Sequence, residues 1–275
     1  MQVERQAFCE PGEVLKEVQD KVERTGEIGE TIDYLTFVSD GEPTLDLNLG
    51  GTIDLLKPLG IRIAVITNGS LLWREDVRRD LGKANWVSLK VDSVREEVWR
   101  RIDRPHGALP LVSILDRMLE FARTFGGELV TETMLVAGVN EREGLIREVA
   151  GFVTSLRPVT AYIAIPTRPP AEAWVQAPNE EAVNRAYQIF GERLERVELL
   201  VGYEGSTFAF TGNVEDELLS ITAVHPMRQE AVEQFLLQAE AGWSVVQRLI
   251  QEGQLIEIKH QGQRFYMRRL PGRVQ

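Results

Sequence analysis

The sequence predicts an α/β protein built on a parallel sheet, arranged as a full or partial (β/α) barrel. Apolar runs typical of strands alternate with segments of helical periodicity over most of the chain. The strand-like runs are apolar throughout, as expected when both faces of a sheet are covered. Polar residues gather directly after these runs, at the edge of a parallel sheet where ligands bind.

The predicted elements follow one another in a regular order. Pro11 suits the first turn of a helix, where its missing N–H has no partner, and Val14, Leu15, Val18 and Val22 continue as an apolar stripe. The predicted strands cover residues 34–39, 62–67, 86–91, 128–135, 161–165 and 197–200. The predicted helices between them cover residues 49–59, 74–81, 95–102, 110–125, 143–156 and 179–193. Repeated strand–helix units imply parallel strands with right-handed crossovers.

The pattern changes after Gly202, which predicts a second domain. Residues 203–212 are rich in glycine and threonine and read as a linker or short hairpin. Helical patterns over 214–224, 227–239 and 243–252 precede a hairpin pattern over 255–259 and 264–268. Three helices followed by a hairpin are typical of a winged-helix-like α+β domain. The predicted domains are therefore residues 1–202 and 213–275.

The net charge, the lack of long apolar runs and the cysteine content argue against several classes of protein. The net charge is −11, which argues against a broad nucleic-acid-binding surface. No apolar run approaches the roughly 20 residues of a membrane helix, and the first residues lack the apolar core of a secretory signal. The single cysteine, Cys9, excludes an internal disulfide and fits a reducing cytoplasm. We expect a cytoplasmic protein in which Cys9 is a small, partly buried structural residue.

The most informative motif follows the first predicted strand. Gly41-Glu42-Pro43-Thr44-Leu45 places a carboxylate and free backbone groups at the carboxyl end of the sheet. Four more motifs follow in order: Thr67-Asn68-Gly69-Ser70-Leu71-Leu72, Lys90-Val91-Asp92-Ser93, Arg104-Pro105-His106 and Pro166-Thr167-Arg168-Pro169-Pro170. By the order and spacing of these motifs, residues 7–200 resemble the radical S-adenosylmethionine (SAM) superfamily, in particular its branch related to the wyosine-forming tRNA enzymes.

The resemblance implies a radical-SAM-type barrel with two cofactors. In that superfamily a CxxxCxxC loop after the first strand holds a [4Fe-4S] cluster through three thiolates, which are soft ligands suited to iron. SAM bound to the cluster is cleaved reductively to a 5′-deoxyadenosyl radical, which abstracts hydrogen from a substrate. An electron donor of the flavodoxin or ferredoxin type is the implied partner.

The chain departs from this pattern because it contains one cysteine where the cluster loop needs three. We therefore expect a partial barrel that lacks its first strand and does not bind a cluster or cleave SAM as written. Truncation of a longer reading frame is the favoured explanation, and a natural pseudoenzyme or a second chain supplying the missing part are the alternatives. An unremedied sheet edge favours truncation, since a stand-alone protein usually protects such an edge.

The first part of the implied SAM site lies after the first two predicted strands. The resemblance assigns the methionine ammonium to Glu42 and the backbone of Gly41, since a carboxylate suits a cation at short range. Thr67 and Asn68 stand where the superfamily contacts the SAM carboxylate or ribose. The structural alternatives are helix capping by Glu42 and a tight turn at the Asn-Gly pair.

The second part lies on the third and fourth predicted strands. Lys90 and Asp92 point to the same side of a strand, where the resemblance assigns Lys90 to the SAM carboxylate and Asp92 to the ribose hydroxyls. Glu132 lies inside the fourth strand, where burial of an unpaired carboxylate is unfavourable. It is expected to face the SAM or substrate cavity, and the alternative is a solvated or ion-paired glutamate. The alternative for Lys90 and Asp92 is an ion pair in the barrel mouth.

Three residues are predicted to bind substrate. Arg104 and His106 lie in one loop, where together they could bind a phosphate or take part in proton transfer. Arg168, held between prolines, suits an anionic group. The alternatives are a rigid turn with a capping histidine and a salt bridge between loops. The substrate itself stays open among a tRNA base, another nucleic acid, a peptide and a small metabolite.

A different function class is a non-catalytic binding or regulatory protein that uses the C-terminal domain. Residues 213–275 carry seven basic and eight acidic residues, a weak balance for a phosphate binder. Packing or protein contact is therefore favoured for this domain over contact with nucleic acid.

Overall fold

The computed structural model describes residues 3–27, 29–38, 41–200, 210, 212–224, 226–260 and 262–269. These divide into two compact units. The first comprises Met1–Asp20, Ile32–Pro166 and Glu172–Val201, and the second comprises Lys21–Thr31, Thr167–Ala171 and Gly202–Gln275. Two short segments within the predicted first domain, 21–31 and 167–171, therefore group with the second unit.

A six-stranded parallel sheet forms the centre of the first unit. Its strands are β1 (Tyr34–Phe37), β2 (Arg62–Thr67), β3 (Trp86–Lys90), β4 (Glu128–Met134), β5 (Thr160–Ala164) and β6 (Val197–Leu200), and they lie side by side in chain order. Each strand begins within one residue of its predicted start. The predicted α/β fold with a parallel sheet is confirmed.

One helix precedes β1, and the others connect successive strands of the sheet. They are α1 (Pro11–Glu27), α2 (Leu49–Leu56), α3 (Glu75–Leu81), α4 (Glu96–Asp103), α5 (Leu111–Thr124), α6 (Glu143–Leu156) and α7 (Glu180–Gly191). In α6 the buried residues Ile146, Val149, Ala150 and Val153 recur at helical spacing, so one face packs on the core. This burial, more than local propensity, stabilises such short helices.

The strand β1 forms one edge of the sheet. Beside it lies an apolar cavity of about 700 Å³, whose lining includes Val14, Leu35, Phe37 and Leu49. Val38, just after the strand, is 38% exposed. Within the described residues, the sheet is thus open at β1, as expected for a partial barrel.

The N-terminal segment is fixed against the loop that follows β1. Gln6 N–H donates to Leu45 O, and Leu47 N–H donates back to Gln6 O, each over 2.9 Å. The buried guanidinium of Arg5 pairs with Asp76 and Asp80 at 2.7 Å. These contacts hold the loop that carries Glu42 in a defined position.

The second unit contains a small α+β fold. Its elements are α8 (Val214–Val224), β7 (Met227–Arg228), α9 (Gln229–Gln238), α10 (Ser244–Gln251), β8 (Leu255–His260) and β9 (Gln263–Arg268), with the strands in the antiparallel order β7-β9-β8. A core around Phe235, Leu249 and Tyr266 joins helices and sheet.

Two details of the second unit differ from the sequence analysis. The helix predicted from residue 227 begins at Gln229, because Met227 and Arg228 pair with β9 instead. The linker predicted over 203–212 lies outside the described residues except at 210 and 212. The winged-helix assignment stays a prediction. In the described part of the chain, no helix combines the length and apolarity that crossing a bilayer requires.

Candidate functional site

A cavity of about 350 Å³ lies at the carboxyl ends of β1, β2 and β3. This volume is in the range of small-molecule sites. Its walls come from the loops after β1 and β2, from the last residue of β3, from α4 and from the loop beyond α4. The lining residues are Gly41, Glu42, Leu45, Asn68, Ser70, Lys90, Trp99, Asp103, Pro105, His106 and Leu109. The fold thus brings together Gly41, Glu42, Asn68, Lys90 and His106, which the sequence motifs singled out separately.

Glu42 is a buried carboxylate that joins the loops after β1 and β2. Its Oε1 accepts from the Thr44 N–H at 3.1 Å, the Thr44 hydroxyl at 2.7 Å and the Thr67 hydroxyl at 2.5 Å. Its Oε2 accepts from the Asn68 N–H at 2.8 Å. Glu42 also caps the short 3₁₀ helix Pro43–Leu45. Burial raises the pKa of Glu42, and the four hydrogen bonds oppose that rise because they favour the charged form.

The turn after β2 shapes the neighbouring wall. The Thr67 hydroxyl accepts from the Gly69 N–H at 3.0 Å, and Asn68 Oδ1 accepts from the Ser70 N–H at 2.9 Å. Gly69 has a φ of +68°, a conformation that glycine adopts without strain. Asn68 and Gly69 therefore form the predicted tight turn, and Asn68 lines the cavity as well.

Lys90 is the centre of a charged cluster on β3 and β4. Its Nζ lies 2.8 Å from Asp92 Oδ2 and 3.9 Å from Glu132 Oε1. The other Asp92 oxygen accepts from the Met134 N–H at 2.8 Å. Burial alone would lower the pKa of Lys90, but the charges of Asp92, Glu132 and Asp103 outweigh it and raise that pKa. The Lys90 side chain is therefore charged. Its ion pair with Asp92 is the structural alternative to SAM contacts that was considered for these two residues.

Asp103, the last residue of α4, is a cavity residue that the sequence analysis missed. Burial together with the negative charge of Asp92 raises the pKa of Asp103 to about 8. The sequence feature that could have identified Asp103 is its position directly before the Arg104-Pro105-His106 motif. A carboxylate at the end of an amphipathic helix resembles an ordinary surface residue, so its direction toward the cavity was not evident.

The three predicted substrate residues are placed differently. His106 lines the cavity, and its Nδ1 accepts from the Ala108 N–H at 3.2 Å. Arg104 ends α4 in the left-handed conformation at a φ of +45° and pairs with Glu172. Arg168 belongs to a segment of the second unit. The structure thus associates only His106 with the cavity lining.

Cys9 is exposed, so the expectation that it is partly buried is wrong. Its carbonyl accepts from Asn48 Nδ2 at 2.8 Å, which ties the backbone while leaving the thiol at the surface. Within the described residues, no three His, Cys, Asp or Glu side chains are grouped as metal ligands. One thiol does not fit a [4Fe-4S] cluster, which needs three from the protein when SAM holds the remaining iron.

Comparison with known families decides the assignment. Residues 8–149 match the model of the radical SAM superfamily. The chain belongs to the radical SAM superfamily. This radical SAM chain is 41% identical over 273 residues to a UPF0026 protein of Methanocaldococcus jannaschii, an alignment that covers 98% of the chain and 84% of the archaeal protein.

Solved structures show the same fold at low sequence identity. A radical SAM methyltransferase from Sphaerobacter thermophilus aligns with a TM-score of 0.53 at 20% identity, over 72% of this chain and 59% of that one. The structure of TYW1 with a lysine–pyruvate adduct aligns with a TM-score of 0.53 at 16% identity, over 70% of this chain and 66% of that one. At this low sequence identity the two matches support the α/β fold. They carry no information on the substrate or the reaction of this chain.

Proposed function

We propose that this chain binds SAM in the 350 Å³ cavity and is the SAM-binding part of a radical SAM enzyme. The observation that carries the proposal is the convergence of Gly41, Glu42, Asn68 and Lys90 on that one cavity, within a fold of the radical SAM superfamily.

The groups in the cavity match the groups of SAM. The Lys90 ammonium suits the SAM carboxylate, with the Ser70 hydroxyl and Asn68 amide as further donors. The Glu42 carboxylate, with the backbone of Gly41 beside it, suits the ammonium, and the Asp103 carboxyl lies on the same cavity wall. The indole of Trp99 offers a flat apolar wall for the methionine chain or the adenine. A cavity with the Lys90 ammonium, the carboxyl groups of Glu42 and Asp103 and an apolar wall offers a partner to each part of a zwitterionic nucleoside.

In the superfamily, SAM supplies a 5′-deoxyadenosyl radical once an electron has reached it from a [4Fe-4S] cluster. The residues of this chain do not fit that cluster, because Cys9 is its one cysteine. The chain's own contribution is therefore to bind and orient SAM and to exclude water from it with Trp99, Leu45 and Leu109. We propose that the chain by itself binds SAM without cleaving it, and that a complete enzyme also uses an electron donor of the flavodoxin or ferredoxin class.

His106 is the residue proposed to meet the substrate. It lies on the cavity wall contributed by the loop beyond α4, with Nδ1 held by the Ala108 N–H and Nε2 as its second polar atom. An imidazole in that position suits a proton exchange or an anionic group. Arg104 and Arg168 remain proposed anion contacts of the substrate.

Isothermal titration calorimetry with SAM tests the function. We expect saturable binding to the wild-type chain and about tenfold weaker binding to Lys90→Gln, the loss expected for one charge-assisted hydrogen bond. Lys16→Gln, an exposed substitution on α1, is the matched control and should bind like wild type. Absence of SAM binding to a folded wild-type chain would reject the proposal.

A further inference from the structure

Asn140 is a buried amide in the loop that follows β4, and it is only 3% exposed. Its Oδ1 accepts from the Val136 N–H at 2.8 Å. Its Nδ2 donates to Met134 O at 2.8 Å and to Asp92 O at 3.0 Å. Both hydrogens of the amide are therefore used. The bonds to Val136 and Met134 stay within or next to the loop, whereas the bond to Asp92 crosses to the backbone just beyond β3.

Asp92, the residue that Asn140 reaches, is held at its backbone and at its side chain. The carbonyl accepts from Asn140, and Oδ1 accepts from the Met134 N–H at 2.8 Å. Asn140 bonds the carbonyl of the same Met134, so Asn140, Asp92 and Met134 form a closed set of hydrogen bonds. Asp92 is only 1% exposed, so these protein groups, and not solvent, fix its orientation.

Lys90 connects this set to the cavity. Its Nζ lies 2.8 Å from Asp92 Oδ2, and its side chain is part of the cavity lining. Asp92 is the nearer of two carboxylates, since Glu132 Oε1 is 3.9 Å from the same nitrogen. A buried carboxylate holds its cation firmly, because separation of the pair leaves a desolvated charge without a partner. A shift of the Asp92 backbone therefore shifts the ammonium as well.

We propose that Asn140 is a positioning residue, which acts through Asp92 to set where the Lys90 ammonium stands in the cavity. Asn140 itself meets no ligand in this proposal. Its effect on SAM affinity rests on the proposed SAM-binding function, whereas its link to Lys90 exists without a ligand. The alternative is that Asn140 only closes the loop after β4, through Val136 and Met134.

A double-mutant cycle between Asn140→Ala and Lys90→Gln, measured by urea denaturation without ligand, tests the link. Each change lowers stability, because the first leaves three backbone groups without a partner and the second leaves Asp92 without its cation. If Asn140 holds Asp92 against Lys90, then Lys90→Gln costs less once Asn140 is removed. We expect the two effects to fall short of additivity by about fivefold in the unfolding constant, about 1 kcal/mol. Additive effects would show that Asn140 only closes its own loop.

Thr133 provides the matched control. Its buried hydroxyl donates to Val91 O at 2.8 Å, so it also joins the ends of β3 and β4, one residue before Asp92. Thr133→Val keeps the shape of the side chain, and its cost should add to that of Lys90→Gln within about twofold. If Thr133→Val couples to Lys90 as strongly as Asn140→Ala does, the coupling belongs to the pairing of β3 with β4 and the assignment of Asn140 is wrong.

Calorimetry with SAM applies the same cycle to the ligand. We expect Asn140→Ala to weaken binding about fivefold in the wild-type background and less than about twofold in the Lys90→Gln background, where the positioned ammonium is absent. Thr133→Val should bind SAM like wild type. Equal losses in both backgrounds would mean that Asn140 does not act through Lys90. Circular dichroism verifies that each variant is folded, and Asn140→Ser, too short to reach Asp92 O, replaces Asn140→Ala if the latter does not fold.

The outcomes separate the two proposals. If the folded wild type does not bind SAM, the SAM-binding function fails, while non-additive stabilities still support the link between Asn140 and Lys90. If SAM binds and both cycles are additive, the SAM-binding function stands and the positioning role of Asn140 is wrong.

Discussion

At the scale of residues, the site depends on carboxylates with different roles. Glu42 is enclosed by donors of the protein and acts as a link between loops. Asp92 is bound to Lys90 and to the backbone of β4, so it fixes the ammonium. Asp103 lines the cavity, and burial together with the nearby Asp92 charge raises its pKa. Environment, more than residue type, assigns these roles.

Replacement of Glu42 by glutamine should destabilise the protein. The amide nitrogen of glutamine cannot accept from the Asn68 N–H, which would be left without its partner in a buried turn. We expect the free energy of unfolding to fall by about 2 kcal/mol in urea denaturation. Glu97→Gln, exposed on α4, should change it by less than about 0.5 kcal/mol. Equal stabilities of the two variants would contradict the linking role of Glu42.

Replacement of Asp103 by asparagine should change the dependence of stability on pH. The folded pKa of Asp103 is about 8, above the ordinary value of 3.8, so folding favours the protonated form. The stability that this preference contributes is complete below the ordinary pKa and is lost as the pH rises to the folded pKa. At about pH 8, Asp103→Asn should therefore be more stable than wild type, by about 2 kcal/mol, because solvent in the cavity screens part of the effect.

Urea denaturation at several pH values measures this difference. The two proteins should converge below about pH 3, where Asp103 is mostly protonated in both folded and unfolded wild type. Asp116→Asn should follow wild type throughout, since that carboxylate is exposed. A constant difference between Asp103→Asn and wild type at all pH values would mean that Asp103 does not titrate with folding.

At the scale of elements, short turns after the parallel strands place the polar groups. The loop after β1 is held by Gln6 on one side and by Glu42 on the other. The turn after β2 is closed by the Thr67 and Asn68 side chains. Because both turns follow neighbouring parallel strands, their polar atoms reach the same edge of the sheet.

The turn after β2 should not tolerate a side chain at Gly69. Its φ of +68° is unfavourable for alanine, and an added Cβ would lie 2.4 Å from Met118 Cε. We expect Gly69→Ala to lower the free energy of unfolding by about 1–2 kcal/mol, mainly through the backbone, since the methionine end is able to move. Gly51→Ala on α2 has open space and should stabilise by about 0.5–1 kcal/mol. The reverse order, measured by denaturation, would contradict the backbone argument.

These elements were largely predictable, and the site was partly so. The six strand starts, the parallel sheet and the Asn68-Gly69 turn follow from patterns between residues close in the chain. The β7 strand was not predicted, because two residues carry no periodicity and their pairing with β9 forms across a long separation. Asp103 was missed for a related reason, since its neighbour Asp92 approaches it only after α4 has packed.

At the scale of the whole molecule, the chain combines a SAM-superfamily fold with one cysteine. Anaerobic incubation of the 275-residue chain with iron and sulfide should therefore give no stable iron–sulfur absorption. Cys9→Ser should give the same spectrum as wild type, because one exposed thiol does not hold a cluster. A stable cluster spectrum that disappears in Cys9→Ser would contradict this expectation.

The order of residues is enough to indicate the alternation of strands and helices, the polar turns after the strands and the shortage of cluster thiolates. These properties depend on residue identity and on periodicity over a few neighbours, which is local information. It is the packing of distant segments that brings donors from two loops to the Glu42 carboxylate and places Asp103 in the lining of the cavity that Lys90 also lines. Hydrogen bonds and charges between distant segments exist only once packing has brought those segments together, so no local pattern specifies them.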